Sequence, residues 1–277
     1  MTEKAKNPGK SKLSTEPYKG VRDFYPEDMA VQEYIISTMR EVSERFGYSA
    51  YDASILEPTE LYTSKTSEEI VGEQTYTFTD RGDRSVTLRP EMTPTVARMV
   101  AARRRELSFP LRWYSIPNVF RYERPQRGRL REHWQLNCDL FGVSGAPADA
   151  EIISLAYHMM RAFGALPEDF QIRVNDRQSI LENIEALGIS GDDVTAFLSL
   201  LDKRAKMTAE EFETALKNLI GEAKTETFLK NDADRTPSVA LRSVVEMLFD
   251  LGITNIVYDP NIIRGFTYYT GIVFEVF

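Results

Sequence analysis

Between Trp113 and Val143 the chain reads WYSIPNVFRYERPQRGRLREHWQLNCDLFGV, and this stretch gathers the side chains best suited to chemistry. Two alternating segments flank a polar loop containing Gly128, the pattern of two antiparallel strands. Side chains alternate with a period of two, so Trp134, Leu136, Cys138 and Leu140 share one face of the second strand. His133, Gln135, Asn137 and Asp139 share the other. In the first strand Val119, Arg121 and Glu123 also fall together, and the loop adds Arg124, Arg127, Arg129 and Arg131. Such a face suits a ligand with both signs of charge. Carboxylates hold an ammonium, and arginine forks match phosphate or carboxylate oxygens in pairs. A solvated outer sheet face with a basic loop is the plainer alternative.

The elements around this hairpin must position it. Pro26 opens a helix with Glu27 and Asp28 in its first turn, and Gly47 ends it. Val31, Ile35, Met39, Val42 and Phe46 form its apolar stripe. A strand from Tyr48 to Leu56 follows and stops at Pro58. Tyr76–Thr79 and SVTLRPEMTPT read as a second hairpin turning at Asp80-Arg81-Gly82-Asp83, ahead of a helix from Pro94 to Arg103. The returning strand carries Arg89, Glu91 and Thr93. A surface ion pair between Arg89 and Glu91 is one reading; Glu91 as a second carboxylate for an ammonium is the other.

Downstream, Asp149 is placed as the cap of a helix running through Phe163, and Phe170–Val174 as a strand. From Arg177 to Asp234 the pattern is short amphipathic helices, with a capping box at Thr208 and Glu211. A helix from Ser238 to Leu251 returns to strands in NIVYD and IIRGFTYYTGIVFEVF. The expected organisation is a disordered tail at 1–16, a core at 17–176, a helical insertion at 177–237 and a return to the core at 238–277.

Composition narrows the classes. The 277 residues carry a formal net charge of -8 and are 42% hydrophobic, enough for a sizeable core. That balance speaks against binding nucleic acid through bulk charge and leaves any RNA contact to a local arginine patch. One Cys and two His exclude a disulfide framework and disfavour a Cys/His zinc site. No apolar run reaches the length of a membrane span, and the expected setting is the reducing cytoplasm.

The ordered set of motifs resembles the catalytic domain of the histidyl-tRNA synthetases, class II aminoacyl-tRNA synthetases. FRYERPQRGRLREHWQLNCDLFG (Phe120–Gly142) resembles their motif 2, and TLRPEMT their amino-acid-binding segment. The helix from Pro26 with the strand ending at Pro58 resembles motif 1, the dimer-forming element. RGFTYYTG resembles the histidine-specific signature. The resemblance implies an α+β fold: an antiparallel sheet flanked by helices, with a helical insertion. It implies histidine, ATP with Mg²⁺ and tRNA(His) as partners, and a homodimer. By position, Arg121 would hold the α-phosphate and the substrate carboxylate, with Glu123 and Arg129 also on ATP. Glu91, Thr93 and Asp139 would hold the histidine ammonium, and Gln135 its carboxylate. Arg264 would be the second catalytic residue, and Tyr268 and Tyr269 would line the imidazole pocket. Three positions depart from the family pattern. Phe266 and Thr267 replace Leu and Asp in the signature, and Asp139 replaces Glu. The chain is expected to stop before motif 3 and the anticodon-binding domain. A histidine-binding regulatory subunit that partners ATP phosphoribosyltransferase, and a module keeping only the fold, are the alternative classes.

Overall fold

The computed structural model describes residues 14–63, 74–123, 128–204, 207–233, 236–262 and 270–277. The readings placed on 1–13, on Arg124 and Arg127, and on Arg264, Gly265, Tyr268 and Tyr269 lie outside the described residues. The chain folds as α+β, with helices packed on small sheets.

Helix α1 (Pro26–Arg45) starts as its sequence requires: Pro26 takes the first position and Asp28 accepts the Tyr25 amide at 3.4 Å. Its apolar stripe is buried only toward the C-terminal end. Val42 is 3% exposed, whereas Val31 is 60% and Tyr34 57% exposed.

The strand expected from Tyr48 to Leu56 is two strands. β1 (Ser49–Ala50) runs parallel to β5 (Leu111–Ser115), and β2 (Leu56–Pro58) pairs antiparallel with β4 (Ser85–Leu88). Between them Asp52 accepts the Ala53 amide (2.7 Å) and Ser54 accepts the Leu56 amide (3.2 Å). Such local side-chain bonds draw backbone donors away from a ladder, and the chain crosses to a different sheet. β3 (Tyr76–Thr79) completes that second sheet, with the turn closed by Asp80.

The central hairpin contains four strands in a single register. β5 pairs with β8 (Asn137–Phe141), from Leu111 against Phe141 to Ser115 against Asn137. β6 (Asn118–Phe120) continues the pairing with β7 (Glu132–Trp134), and the Arg121 amide reaches the Arg131 carbonyl at 2.9 Å. The interruption falls at Pro117, which has no N–H to donate; its carbonyl still accepts the Gln135 amide at 3.1 Å. Gly142 follows at φ +84°, where a Cβ would lie 2.8 Å from the Phe109 ring, so only glycine fits.

Sorting of the two hairpin faces follows the alternation. Leu136 and Cys138 pack with Tyr48, Tyr114 and Val42, and with Leu155 and Met159 of α4 (Ala146–Ala162). Across the sheet Leu111, Trp113 and Phe141 meet Val96 and Val100 of α3 (Thr93–Arg103), which follows a short helix α2 (Glu60–Thr63). Gly145, not Asp149, occupies the N-cap of α4; Asp149 sits in the first turn, where a carboxylate meets the positive helix end without capping it.

The remainder has two cores. β9 (Ile172–Asp176) lies between parallel β10 (Ile256–Tyr258) and antiparallel β11 (Ile272–Val276), so the expectation of antiparallel pairing holds except at β1–β5 and β10–β9. These strands pack on α4 and on α9 (Val239–Asp250), which Ser238 caps by accepting the Leu241 amide. Between β9 and α9 come α5 (Arg177–Ala186), α6 (Asp192–Lys203), α7 (Ala209–Ile220) and α8 (Glu222–Ala233). Thr208 and Glu211 form the expected capping box on α7. Their shared core, including Ile184, Phe197, Leu201, Leu216 and Phe228, draws its buried residues only from 180–228. Truncating any one of these to Ala would cost about 2–5 kcal/mol.

Candidate active site

The site is assembled where the segment after β4 crosses the hairpin. Arg89 does the joining. It is 3% exposed, and its guanidinium donates to the Asn118 carbonyl (2.9 Å), the Asn118 side chain (3.2 Å) and the Ala53 carbonyl (2.9 Å). Its own carbonyl accepts the Phe120 amide at 2.9 Å. Arg89 is therefore a buried tie between three segments, not the surface ion pair that the sequence also allowed. A strand-end arginine looks exposed in one dimension; tertiary crossing buries it.

This tie sets Glu91, 5% exposed, and Thr93, the first residue of α3, beside the hairpin. Arg121 donates through Nε to the Pro90 carbonyl at 2.9 Å. Burial first, and then the Arg121 charge, hold the His133 imidazole below its ordinary value. The N-terminus of α3 supplies unpaired backbone donors and a positive helix end at the same place.

Farther along the same face Asp139 receives two donors on one oxygen, Oδ2: the Tyr51 phenol at 3.2 Å and the Asn137 amide at 2.5 Å. Burial pushes its carboxyl up to about 6, against the lowering effect of those two hydrogen bonds. Burial and the Asp139 charge push the Tyr51 phenol up in turn. On the opposite face burial raises the Cys138 thiol to about 11, so it is a poor nucleophile and belongs to the core.

At the hairpin tip Glu123 and Arg129 form an exposed pair at 3.4 Å, worth little by itself. Arg131, counted from sequence among the loop arginines, is 7% exposed and structural. Its guanidinium lies 3.9 Å from the Tyr122 ring centre and donates to the Glu123 carbonyl, the Lys19 carbonyl and the Tyr18 hydroxyl. The segment before α1 is thereby strapped to the tip, a role that spacing along one strand could not disclose.

Of the residues expected in the site, Arg121, Gln135 and Asp139 share one face of the hairpin, in that order along the sheet, with Glu91 and Thr93 at its border. Glu123 and Arg129 are at the tip. Tyr51 was missed. It lies far away in sequence within an unremarkable strand pattern, and no local signal could have singled it out. A buried carboxylate, a buried arginine junction and a basic tip can together hold a zwitterion against a phosphate, without a protein nucleophile.

Among solved structures, the fold matches an ATP phosphoribosyltransferase regulatory subunit/histidyl-tRNA synthetase from Bacillus halodurans C with a TM-score of 0.81. The match has 22% identity and covers 96% of this chain and 73% of that one. It matches histidyl-tRNA synthetase from Nostoc sp. PCC 7120 with a TM-score of 0.79 and 21% identity, covering 96% and 65%. The chain thus shares the fold of these two structures. Residues 20–277 match the histidyl-tRNA synthetase family. The chain is 44% identical to the histidine–tRNA ligase of Leptospira biflexa over 283 aligned positions, and 39% identical to that of Thermoplasma volcanium over 282. Each alignment covers 96% of this chain, and 64% and 65% of those relatives. The chain belongs to the histidyl-tRNA synthetase family. It spans 64% of the length of the Leptospira relative.

Proposed function

We propose that this chain carries the amino-acid-activating core of a histidine–tRNA ligase. The observation that carries the reading is the tie at Arg89 and Pro90, which sets buried Glu91 and the start of α3 against Arg121 in a member of this family. In the reaction proposed, a histidine carboxylate oxygen bonds to the α-phosphorus of ATP as the bond to the bridging oxygen breaks, and pyrophosphate leaves. A terminal ribose hydroxyl of tRNA(His) then bonds to the carbonyl carbon of the histidyl adenylate, the acyl–phosphate bond breaks, and AMP leaves as the hydroxyl proton passes to its phosphate.

Arg121 neutralises the α-phosphate and the incoming carboxylate. Glu91, Thr93 and Asp139 take the ammonium, and Gln135 orients the carboxylate. Glu123 and Arg129 serve ATP at the tip. Arg264 is the second catalytic residue, with Tyr268 and Tyr269 around the imidazole. The catalytic gain comes from positioning and charge neutralisation. Mg²⁺ enters with ATP, offsetting charge on its phosphates; among the described residues no group of three or more His, Cys, Asp or Glu could hold a metal ion of its own.

The helices from 177 to 237 form an insertion with a core of its own, between a catalytic core at 17–176 and its return at 238–277. Exposed Met29, Val31, Tyr34 and Ile35 on α1 support a homodimer, since a contiguous apolar face of this kind marks an interface. Sedimentation of the Val31→Lys and Ile35→Lys double variant should show monomer where wild type shows dimer. No described helix is long and apolar enough to cross a membrane, and the cytoplasm is the proposed location.

The test is histidine-dependent exchange of labelled pyrophosphate into ATP, with Arg121→Ala as the control. Exchange that needs histidine and drops at least 100-fold in the control supports the reading. Absence of exchange from the wild-type chain refutes it.

A further inference from the structure

The carboxylate of Asp139 is held in an unusual way. Two donors, Tyr51 just after β1 and Asn137 of β8, converge on the single oxygen Oδ2, and no hydrogen bond to Oδ1 is made among the described residues. Asp139 is partly exposed and Oδ1 is not among the buried side-chain atoms left without a partner, so this oxygen is open to a ligand and not sealed in the core, where a bare one would be costly. Tyr51 is itself rigidly placed. Its amide donates to the Tyr114 carbonyl at 2.9 Å, and its ring packs 5.7 Å from the Trp113 ring and beside Val96 and Val100 of α3. The Asn137 amide also reaches the Tyr51 hydroxyl at 3.5 Å, closing a three-membered polar cluster.

We propose that Tyr51 is a positioning residue of the ligand site: its phenol and the Asn137 amide fix Oδ2 of Asp139 so that Oδ1 is presented to the positive charge of histidine. This rests on the reading of Asp139 as part of the histidine site. The two donors also keep the carboxyl ionised against its burial, so removing either raises the pH at which Asp139 becomes a usable counter-charge. Among the described residues the titratable group facing Asp139 is Tyr51. From β5 the cross-strand neighbour is Trp113, α3 contributes apolar side chains beside Tyr51, and Cys138 of β8 turns to the other face.

The experiment pairs two readouts on the 277-residue chain. One is calorimetric titration with L-histidine from pH 5 to 8. The other is the carboxyl titration of Asp139 by NMR of the chain labelled at aspartate with ¹³C, assigned by the loss of one resonance in Asp139→Asn. Tyr51→Phe keeps the ring and its packing and removes only the hydroxyl; Asn137→Ala is the second variant. The free imidazole of histidine titrates near 6.5 in every sample, so the comparison between variants cancels it.

The expected result is that the Asp139 midpoint rises by about one pH unit in Tyr51→Phe and the low-pH limb of affinity moves with it. Histidine then binds about fivefold more weakly at pH 6 and nearly normally at pH 8. An unmoved Asp139 titration, or affinity weakened equally at every pH, overturns the proposal and reduces Tyr51 to a packing residue. A wild-type chain that binds no histidine at any pH overturns the histidine-site reading, and the proposal with it.

Discussion

Replacing Arg89 with Ala tests the claim that one buried guanidinium assembles the site. Three protein acceptors depend on it: the Ala53 carbonyl, the Asn118 carbonyl and the Asn118 side-chain oxygen. Its ion pair with Asp52, at 3.3 Å, adds little, because the Asp52 side chain is 78% exposed and screened by water. The acceptors decide the magnitude. Hydrogen bonds from a charged donor contribute about 1.5–3 kcal/mol each, and each orphaned buried acceptor costs about 1–3 kcal/mol. These terms overlap, and breaking a buried charged cluster typically costs about 3–5 kcal/mol, which is the loss expected here. With a urea slope near 3 kcal/mol/M for a chain of this size, the unfolding midpoint falls by about 1–1.7 M, with the slope unchanged. Arg89→Lys should lose about 2 kcal/mol, since a point ammonium cannot reach Asn118 and Ala53 together. A loss below about 1 kcal/mol in Arg89→Ala, or a lysine variant as stable as wild type, would show that the crossing is held by something else.

Two further predictions concern pH. The folded value of Asp139 is raised to about 6, so its stabilising share is present below the ordinary aspartate value and is lost as pH rises through 6. Asp139→Asn should therefore be more stable than wild type at pH 7 by about 2 kcal/mol, or about 4–8 °C in Tm, with the gain gone at pH 4. A variant that is less stable at pH 7 would contradict the burial of that charge. Arg112 grips both oxygens of Glu151 (2.7 and 2.6 Å), and these bonds hold the Glu151 carboxyl below its ordinary range. The contribution of the pair is present above the ordinary glutamate value and is lost as pH falls through the lowered one. Arg112→Ala should cost about 1–2 kcal/mol at pH 7, allowing for partial exposure, and distinctly less at pH 3 by thermal unfolding.

Much of the candidate site's layout was legible in one dimension because it lies on the two arms of one hairpin. A period of two sorts Gln135, Asn137 and Asp139 from Leu136 and Cys138 wherever the strand sits, and the structure keeps that sorting across the break at Pro117. Helix starts at Pro26, Thr208 and Ser238 were equally legible, since caps depend on residues within three positions.

What sequence alone determined, then, was the α+β class, the order of the elements, the polar hairpin face and the family motifs on it. Tertiary structure decided what those local patterns cannot contain. The strand after Tyr48 divides between two sheets, Arg89 and Arg131 turn inward as ties, and Tyr51 reaches Asp139 across 88 positions of chain. The physical reason is that periodicity fixes which way a side chain points relative to its own backbone. Burial, the partner it meets and the resulting charge state depend on which distant segment packs against it.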